Sequence, residues 1–161
     1  MPHSRMQEHR WTVDRPNILV VACSDGRLQE VTDDFLSNEL GITRYDRFYA
    51  PGGAGALAAT GRDFSRAQTM RAECRYLVEL HRVTRVVLLF HGPAPTGPAA
   101  AICADYQRKL PDAPAAVVRE RQNADAHELH LHAAEFAANA SIHFYRCEVD
   151  DVGRASFVDL E

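Results

Sequence analysis

Short apolar runs alternate with helical stripes along this chain. After Asn17, the stretch Ile18-Leu-Val-Val-Ala22 is continuously apolar, the pattern of a strand buried on both faces. Leu28, Val31, Phe35, Leu36 and Leu40 then fall on one side of a helix predicted over Gln29 to Leu40, with Gly41 as its C-cap. Arg44 to Ala50 alternates and reads as a second strand, stopped by Pro51-Gly52-Gly53. A helix is predicted over Ser65 to Leu80, where Ser65 can cap and Met70, Cys74, Leu77, Val78 and Leu80 build an apolar face. Val86 to Phe90 is the third strand and runs into His91 and a proline-rich turn. Further helices are expected over Ala99 to Leu110 and Asn123 to Asn139. Strands are expected over Ile142 to Val149 and Ala155 to Leu160, around an Asp150-Asp151-Val152-Gly153 turn. Alternation of this kind argues for an α/β sheet, parallel in its first part. No repeat or linker divides the chain, so one domain is expected over residues 1–161, with 1–16 as a short N-terminal arm.

Ligands of open α/β sheets collect at the carboxyl ends of the strands. The first strand ends in Cys23-Ser24-Asp25-Gly26-Arg27, which puts a soft metal ligand beside an acid–base pair, and the third ends in His91. Sulfur and imidazole from two strand ends read together as a zinc site. A buried strand-end thiol, a satisfied structural histidine and a plain Asp25–Arg27 ion pair remain the blander alternatives. Three residues separate Cys23 from Arg27, against the five of a cysteine-phosphatase loop, which sets that chemistry aside. Gly53-Ala-Gly55-Ala-Leu-Ala58 formally fits a dinucleotide-binding fingerprint. Glu73, about 20 residues on, falls mid-helix rather than at the end of the next strand. The amides of Gly52, Gly53 and Gly55 can instead form a nest for a small oxyanion. His127, His130 and His132 read as part of a solvated helix face.

Composition narrows the partners. The 161 residues carry a net charge of −4, with Lys109 the only lysine, which leaves no footprint for nucleic acid or an anionic membrane. No apolar run approaches the ~20 residues of a membrane span, and the N-terminal segment lacks the apolar stretch of a secretory signal. Four scattered cysteines without a CxxC spacing are expected to be free thiols or ligands, in a cytoplasmic protein.

With these residues in place, the sequence resembles the β-class carbonic anhydrases. That family carries Cys-x-Asp-x-Arg after its first strand, matched by Cys23, Asp25 and Arg27. A helix and an apolar strand then lead to His-x-x-Cys, matched by Ala72 to Phe90 and His91-Gly92-Pro93-Ala94. The tail from Phe144, with the Gly153 turn and Phe157-Val-Asp-Leu160, resembles the family's closing strand pair. The resemblance implies a mostly parallel sheet, about four parallel strands plus an antiparallel edge strand, flanked by helices. It also implies zinc held by two thiolates, one imidazole and either water or the aspartate, activating water for attack on CO2. Asp25 and Arg27 would pair as the catalytic acid–base group, Gly52, Gly53 and Gly55 would contact CO2 or bicarbonate, and the chain would form a homodimer or higher homo-oligomer with a shortened arm.

Two positions depart from the family. Ala94 stands where the second cysteine is expected, and Pro51 replaces an arginine. The expected metal ligands are therefore Cys23 and His91 with Asp25 as the third. Cys103 lies nine residues beyond Ala94, on the order of 13 Å away if the path is mostly helical, and is set aside. Cys74 and Cys147 read as small core residues. Two functions stay open at this point: a zinc enzyme hydrating CO2 or a related small substrate, and a catalytically degenerate relative serving as an anion-binding or assembly module.

Overall fold

The apolar run predicted as the first strand forms β1 (Ile18–Cys23), whose four central residues are buried. The computed structural model describes residues 4–60 and 63–161. Within them β2 (Asp46–Ala50), β3 (Arg85–Pro93), β4 (Ser141–Val149) and β5 (Ala155–Asp159) join β1 in one sheet of order β2-β1-β3-β4-β5. The pairs β1–β2, β1–β3 and β3–β4 are parallel, and only β4–β5 is antiparallel. This is the expected α/β architecture, down to the antiparallel edge strand. Helices α1 (Gln29–Asn38), α2 (Phe64–Leu80), α3 (Ala104–Lys109) and α4 (Ala115–Leu131) cover it.

Alternate residues of a strand point to opposite faces, and the sheet builds a core on each. Leu19 and Val21, with Val86, Leu88 and Phe90, pack against Cys74 and Val78 of α2 and Leu129 of α4. Val20 and Ala22, with Val87 and Leu89, pack against Phe35 and Leu36 of α1. Cys23 continues the first set, so its side chain belongs to the face that also holds Cys103 and Tyr106. Among the described residues, no helix is long and apolar enough to cross a membrane.

Two helical segments differ from expectation. The helix predicted over Ala99 to Leu110 is a 3₁₀ turn at Ala99–Ala101 followed by α3, which starts only at Ala104. Ile102 and Cys103 are extended, with ψ of 132° and 123°, which ends the 3₁₀ turn and delays the α-helix to Ala104. The helix predicted over Asn123 to Asn139 runs instead from Ala115, directly after Pro114, to Leu131. Its inward face mixes Val118, Ala126 and Leu129 with buried Gln122 and Asp125, so no clean apolar stripe marks it in the sequence.

Burial pushes the thiols of Cys74 and Cys147 up to about 12, from an ordinary cysteine value near 8.5. Between about pH 9 and 12 the folded chain therefore binds more protons than the unfolded one, and stability falls as pH rises through that window. The urea midpoint should decline accordingly, and Cys74→Ala should flatten the decline; an equal slope in both would contradict the burial argument.

Candidate metal centre

The site is built where β1 and β3 end. β1 delivers Cys23 and then turns through Gly26–Leu28, with the Asp25 carboxylate accepting the backbone N–H of Arg27 at 3.0 Å. Parallel pairing of β1 with β3 sets Val21 opposite Leu88, which brings the end of one strand beside His91 on the other. The chain leaving β3 then folds back. Ala94 N–H donates to the Val149 carbonyl and Gly97 N–H to the Ala94 carbonyl, each at 2.8 Å. The 3₁₀ turn at Ala99–Ala101 follows, and Ile102 and Cys103 are buried.

This return path corrects the sequence expectation about Cys103. The Cys23 Sγ, Cys103 Sγ and a His91 ring nitrogen all lie within 4.8 Å of one another. The helical path assumed for residues 94–103 is wrong because Pro95, Pro98 and the extended backbone at Ile102 and Cys103 make it a return loop. A thiol nine residues beyond Ala94 thus lies near Cys23 and His91.

Asp25 lies outside this cluster. Its carboxylate sits in the fork of Arg27, with Nε at 3.0 and 3.1 Å from the two oxygens and a terminal nitrogen at 2.6 Å. Arg27 in turn donates to the Ala100 carbonyl at 3.1 Å, which spans the gap to the returning loop. The guanidinium lowers the Asp25 carboxyl to about 2, so it is an anionic acceptor at neutral pH.

Hydrogen bonds within the cluster separate the two thiols. The nearby Cys103 thiol, with His91 and the Gly52 backbone, holds the Cys23 thiol well below the ordinary cysteine value. Cys103 is pushed up by the same neighbour and by burial, although the N–H groups of Asp105 and Tyr106 oppose that shift. The pair is therefore unequal, with the thiolate favoured at Cys23 and the thiol at Cys103.

Zinc fits these residues. Bonds of 2.3 Å to sulfur and 2.0 Å to nitrogen put tetrahedral ligand atoms roughly 3.5–4 Å apart, inside the 4.8 Å that bounds these three groups. His91 is 4% exposed, and its Nε2 has no hydrogen-bond partner among the described residues. A buried imidazole nitrogen without a partner, on a ring grouped with two thiols, suits a metal ligand. With Asp25 held by Arg27, three protein ligands leave a fourth position open, the pattern of catalytic zinc sites.

The three glycines expected to contact substrate are buried behind the site. A Cβ on Gly53 would lie 2.5 Å from the Leu89 carbonyl oxygen and 2.6 Å from the Cys23 nitrogen, and its φ is +55°. The space beside Gly55 is filled by the Tyr106 ring, and that beside Gly52 by the Asp105 carboxylate. The segment is needed for close approach to the ends of β1 and β3, and the 3₁₀ turn Gly53–Leu57 leaves no room for a dinucleotide. Gly53→Ala is accordingly expected to cost about 2–3 kcal/mol or more, from backbone strain plus overpacking. A urea midpoint unchanged from the parent would refute the close-approach argument.

Sequence reasoning also missed the clamp that carries Cys103. Asp105, two residues on, is ion-paired with Arg66 at 3.2 Å, Arg108 at 2.9 Å and Lys109 at 3.3 Å. Arg66 also donates to the Pro51 carbonyl at 2.7 Å, and Lys109 to the Gly55 carbonyl at 2.7 Å. An arginine thus does reach the Pro51 segment, from α2 rather than from within it. These bonds tie the helix behind Cys103 to the loop whose amide faces Cys23. His127, His130 and His132 join no cluster with metal-ligand spacing among the described residues; His132 pairs with Glu135, and the His130 ring lies against Phe144.

Two clefts of about 220 Å³ border the centre. One opens beside Asp25, Arg27 and His91 and is otherwise mostly apolar, with Leu28, Val31 and Val149 in its wall. The other reaches Cys23 past Ser24, Thr32, Tyr45 and Tyr49.

The sheet order, the one antiparallel edge and the strand-end site together define the β-carbonic anhydrase fold. Among solved structures, the chain is similar to a carbonic anhydrase from Glaciozyma antarctica, at 14% identity and a TM-score of 0.50 over 93% of this chain and 85% of that one. It is also similar to a carbonic anhydrase from Streptococcus mutans, at 17% identity and a TM-score of 0.47 over 91% and 82%. A third is β-carbonic anhydrase isoform I of Trichomonas vaginalis, at 11% identity and a TM-score of 0.42 over 98% and 88%. No sequence-family profile matches the chain, and no curated protein matches it in sequence.

Proposed function

We propose that this chain binds one zinc ion through Cys23, His91 and Cys103 and hydrates CO2, or a related small neutral electrophile, reversibly. The observation that carries the proposal is the sulfur–nitrogen–sulfur cluster within 4.8 Å, with its buried unpartnered His91 Nε2. Bound zinc would supply Lewis-acid activation of water at neutral pH. Asp25, fixed in two-point contact by Arg27, is oriented to accept a hydrogen bond from the attacking water. The apolar wall of Leu28, Val31 and Val149 suits a neutral substrate and keeps bulk water from it. The argument for a degenerate relative leaned on Ala94 and Pro51; a thiol from Cys103 within reach of Cys23 and His91 weakens the first ground, and Arg66 at the Pro51 carbonyl bears on the second. β2 is an open edge of the sheet, a surface on which two copies could pair as a homodimer.

Metal analysis of protein purified without added zinc, with stopped-flow CO2 hydration on the same sample, tests the proposal. About one zinc per chain and a measurable hydration rate are expected. Arg27→Ala should keep the zinc and lose activity by about 10- to 100-fold, because it frees the carboxylate that orients the reacting water. A chain that takes up no zinc, or holds it without hydrating CO2, would overturn the proposal.

A further inference from the structure

Cys23 and Cys103 are placed for chemistry with each other as well as with a metal. Their sulfurs lie within 4.8 Å, and a disulfide needs about 2.05 Å, so a closure of under about 3 Å would join them. Cys23 ends its strand, and Cys103 lies between a 3₁₀ turn and α3, outside either. Their access differs: Cys23 is half-buried and lines a cleft of about 220 Å³, whereas Cys103 is 1% exposed behind it. An oxidant entering the cleft meets Cys23 first, with Cys103 as the thiol beside it. Cys147 borders a small void next to Cys23, but neither it nor Cys74 belongs to the close cluster.

We propose that the Cys23–Cys103 pair is an oxidation site, closed to a disulfide by peroxide in the metal-free chain, so that disulfide and metal are alternative occupants. In the first step the Cys23 sulfur attacks one oxygen of hydrogen peroxide. An S–O bond forms, the O–O bond breaks, and the departing oxygen leaves as water with the thiol proton. The Cys103 sulfur then attacks the Cys23 sulfur of the resulting sulfenic acid. The S–S bond forms, the S–O bond breaks, and a second water leaves with the Cys103 proton. Two thiols have lost two electrons and two protons, and one peroxide has become two waters. The exclusion of metal rests on the zinc-site reading above, because both sulfurs would be ligands; the disulfide itself does not.

The test treats metal-free protein with equimolar hydrogen peroxide and maps peptides without reduction. A Cys23–Cys103 cross-link, on a chain two hydrogens lighter and restored by dithiothreitol, is the expected result. Sulfinic acid accumulating at Cys23 without a cross-link, or a cross-link that uses Cys74 or Cys147, would overturn the proposal. In Cys103→Ser the sulfenic acid at Cys23 should persist and be trapped by dimedone, whereas a Cys23 disulfide in that variant would refute the resolving role of Cys103. If the variant does not fold, the wild-type peptide map decides alone. Prior loading with zinc should slow cross-linking at least about tenfold, since the reacting sulfur would be coordinated. Equal rates with zinc bound would refute the exclusion, while a chain that binds no zinc would refute the metal reading and leave the disulfide to the map.

Discussion

Replacing Cys103 by serine is expected to lower zinc affinity by about two orders of magnitude or more while leaving the fold intact. Structural zinc sites bind with ~10–16 kcal/mol in peptides, so one of four ligands accounts for roughly 3 kcal/mol. Serine is favoured at the position preceding a helix, and Cys103 is the residue before α3, so the helix start survives the change. Titration against a chelator of known affinity, run on wild type and variant, measures the effect. An unchanged affinity would remove Cys103 from the ligand set and return Asp25 to the third position. The complementary change, Ala94→Cys, bears on a residue whose amide is bound to the Val149 carbonyl, on the far side of the loop that Cys103 closes.

The largest stability effect is expected at Asp125, which is fully buried between α4, α3 and the segment before α2. Its carboxylate accepts from Thr60 Oγ1 at 2.6 Å, from the Tyr106 hydroxyl at 2.5 Å and from Arg121 Nε at 2.9 Å. Asp125→Ala would strand two buried hydroxyls, each costing about 1–3 kcal/mol unpaired. Arg121 is partly exposed and can turn to water. A loss of about 3–5 kcal/mol is therefore expected in urea unfolding. Because Tyr106 lies three residues after Cys103 on the same short segment, metal affinity should fall with it. A variant less than about 1 kcal/mol below wild type would show that the network is not what anchors α3.

The strands were legible because their apolar runs are dense and β-branched, as in β1 and β3, and the strand-end motif Cys23/Asp25/Arg27 with His91 followed from them directly. What the sequence hid was the course of residues 94–103. A one-dimensional distance argument treats that segment as a rod, while Pro95, Pro98 and the extended backbone at Ile102 and Cys103 make it a return loop, and the loop decides whether a second thiol reaches the site. A cysteine immediately before a helical segment, downstream of a proline-rich turn, was the available signal. Gly52, Gly53 and Gly55 stood out as a nest of amides for a small oxyanion, whereas a Cβ on any of them would meet protein: the ends of β1 and β3 at Gly53 and side chains of α3 at Gly52 and Gly55. The part of α4 before Asn123 escaped because buried Gln122 interrupts its apolar face. Gln122 donates to the His91 carbonyl at 2.9 Å, so the residue that spoils the periodicity also braces the strand end that bears the histidine.

Lys109 is the only lysine in the chain, and its ammonium group is spent inside, with the side chain 1% exposed against Asp105 and the Gly55 carbonyl. The molecular surface formed by the described residues consequently offers guanidinium groups but no lysine amine. Acylating enzymes, ubiquitin ligases and amine-directed cross-linkers would all find no side chain to act on until α3 has come away from the glycine loop. Acylation at Lys109 would thus report that the helix following Cys103 had opened.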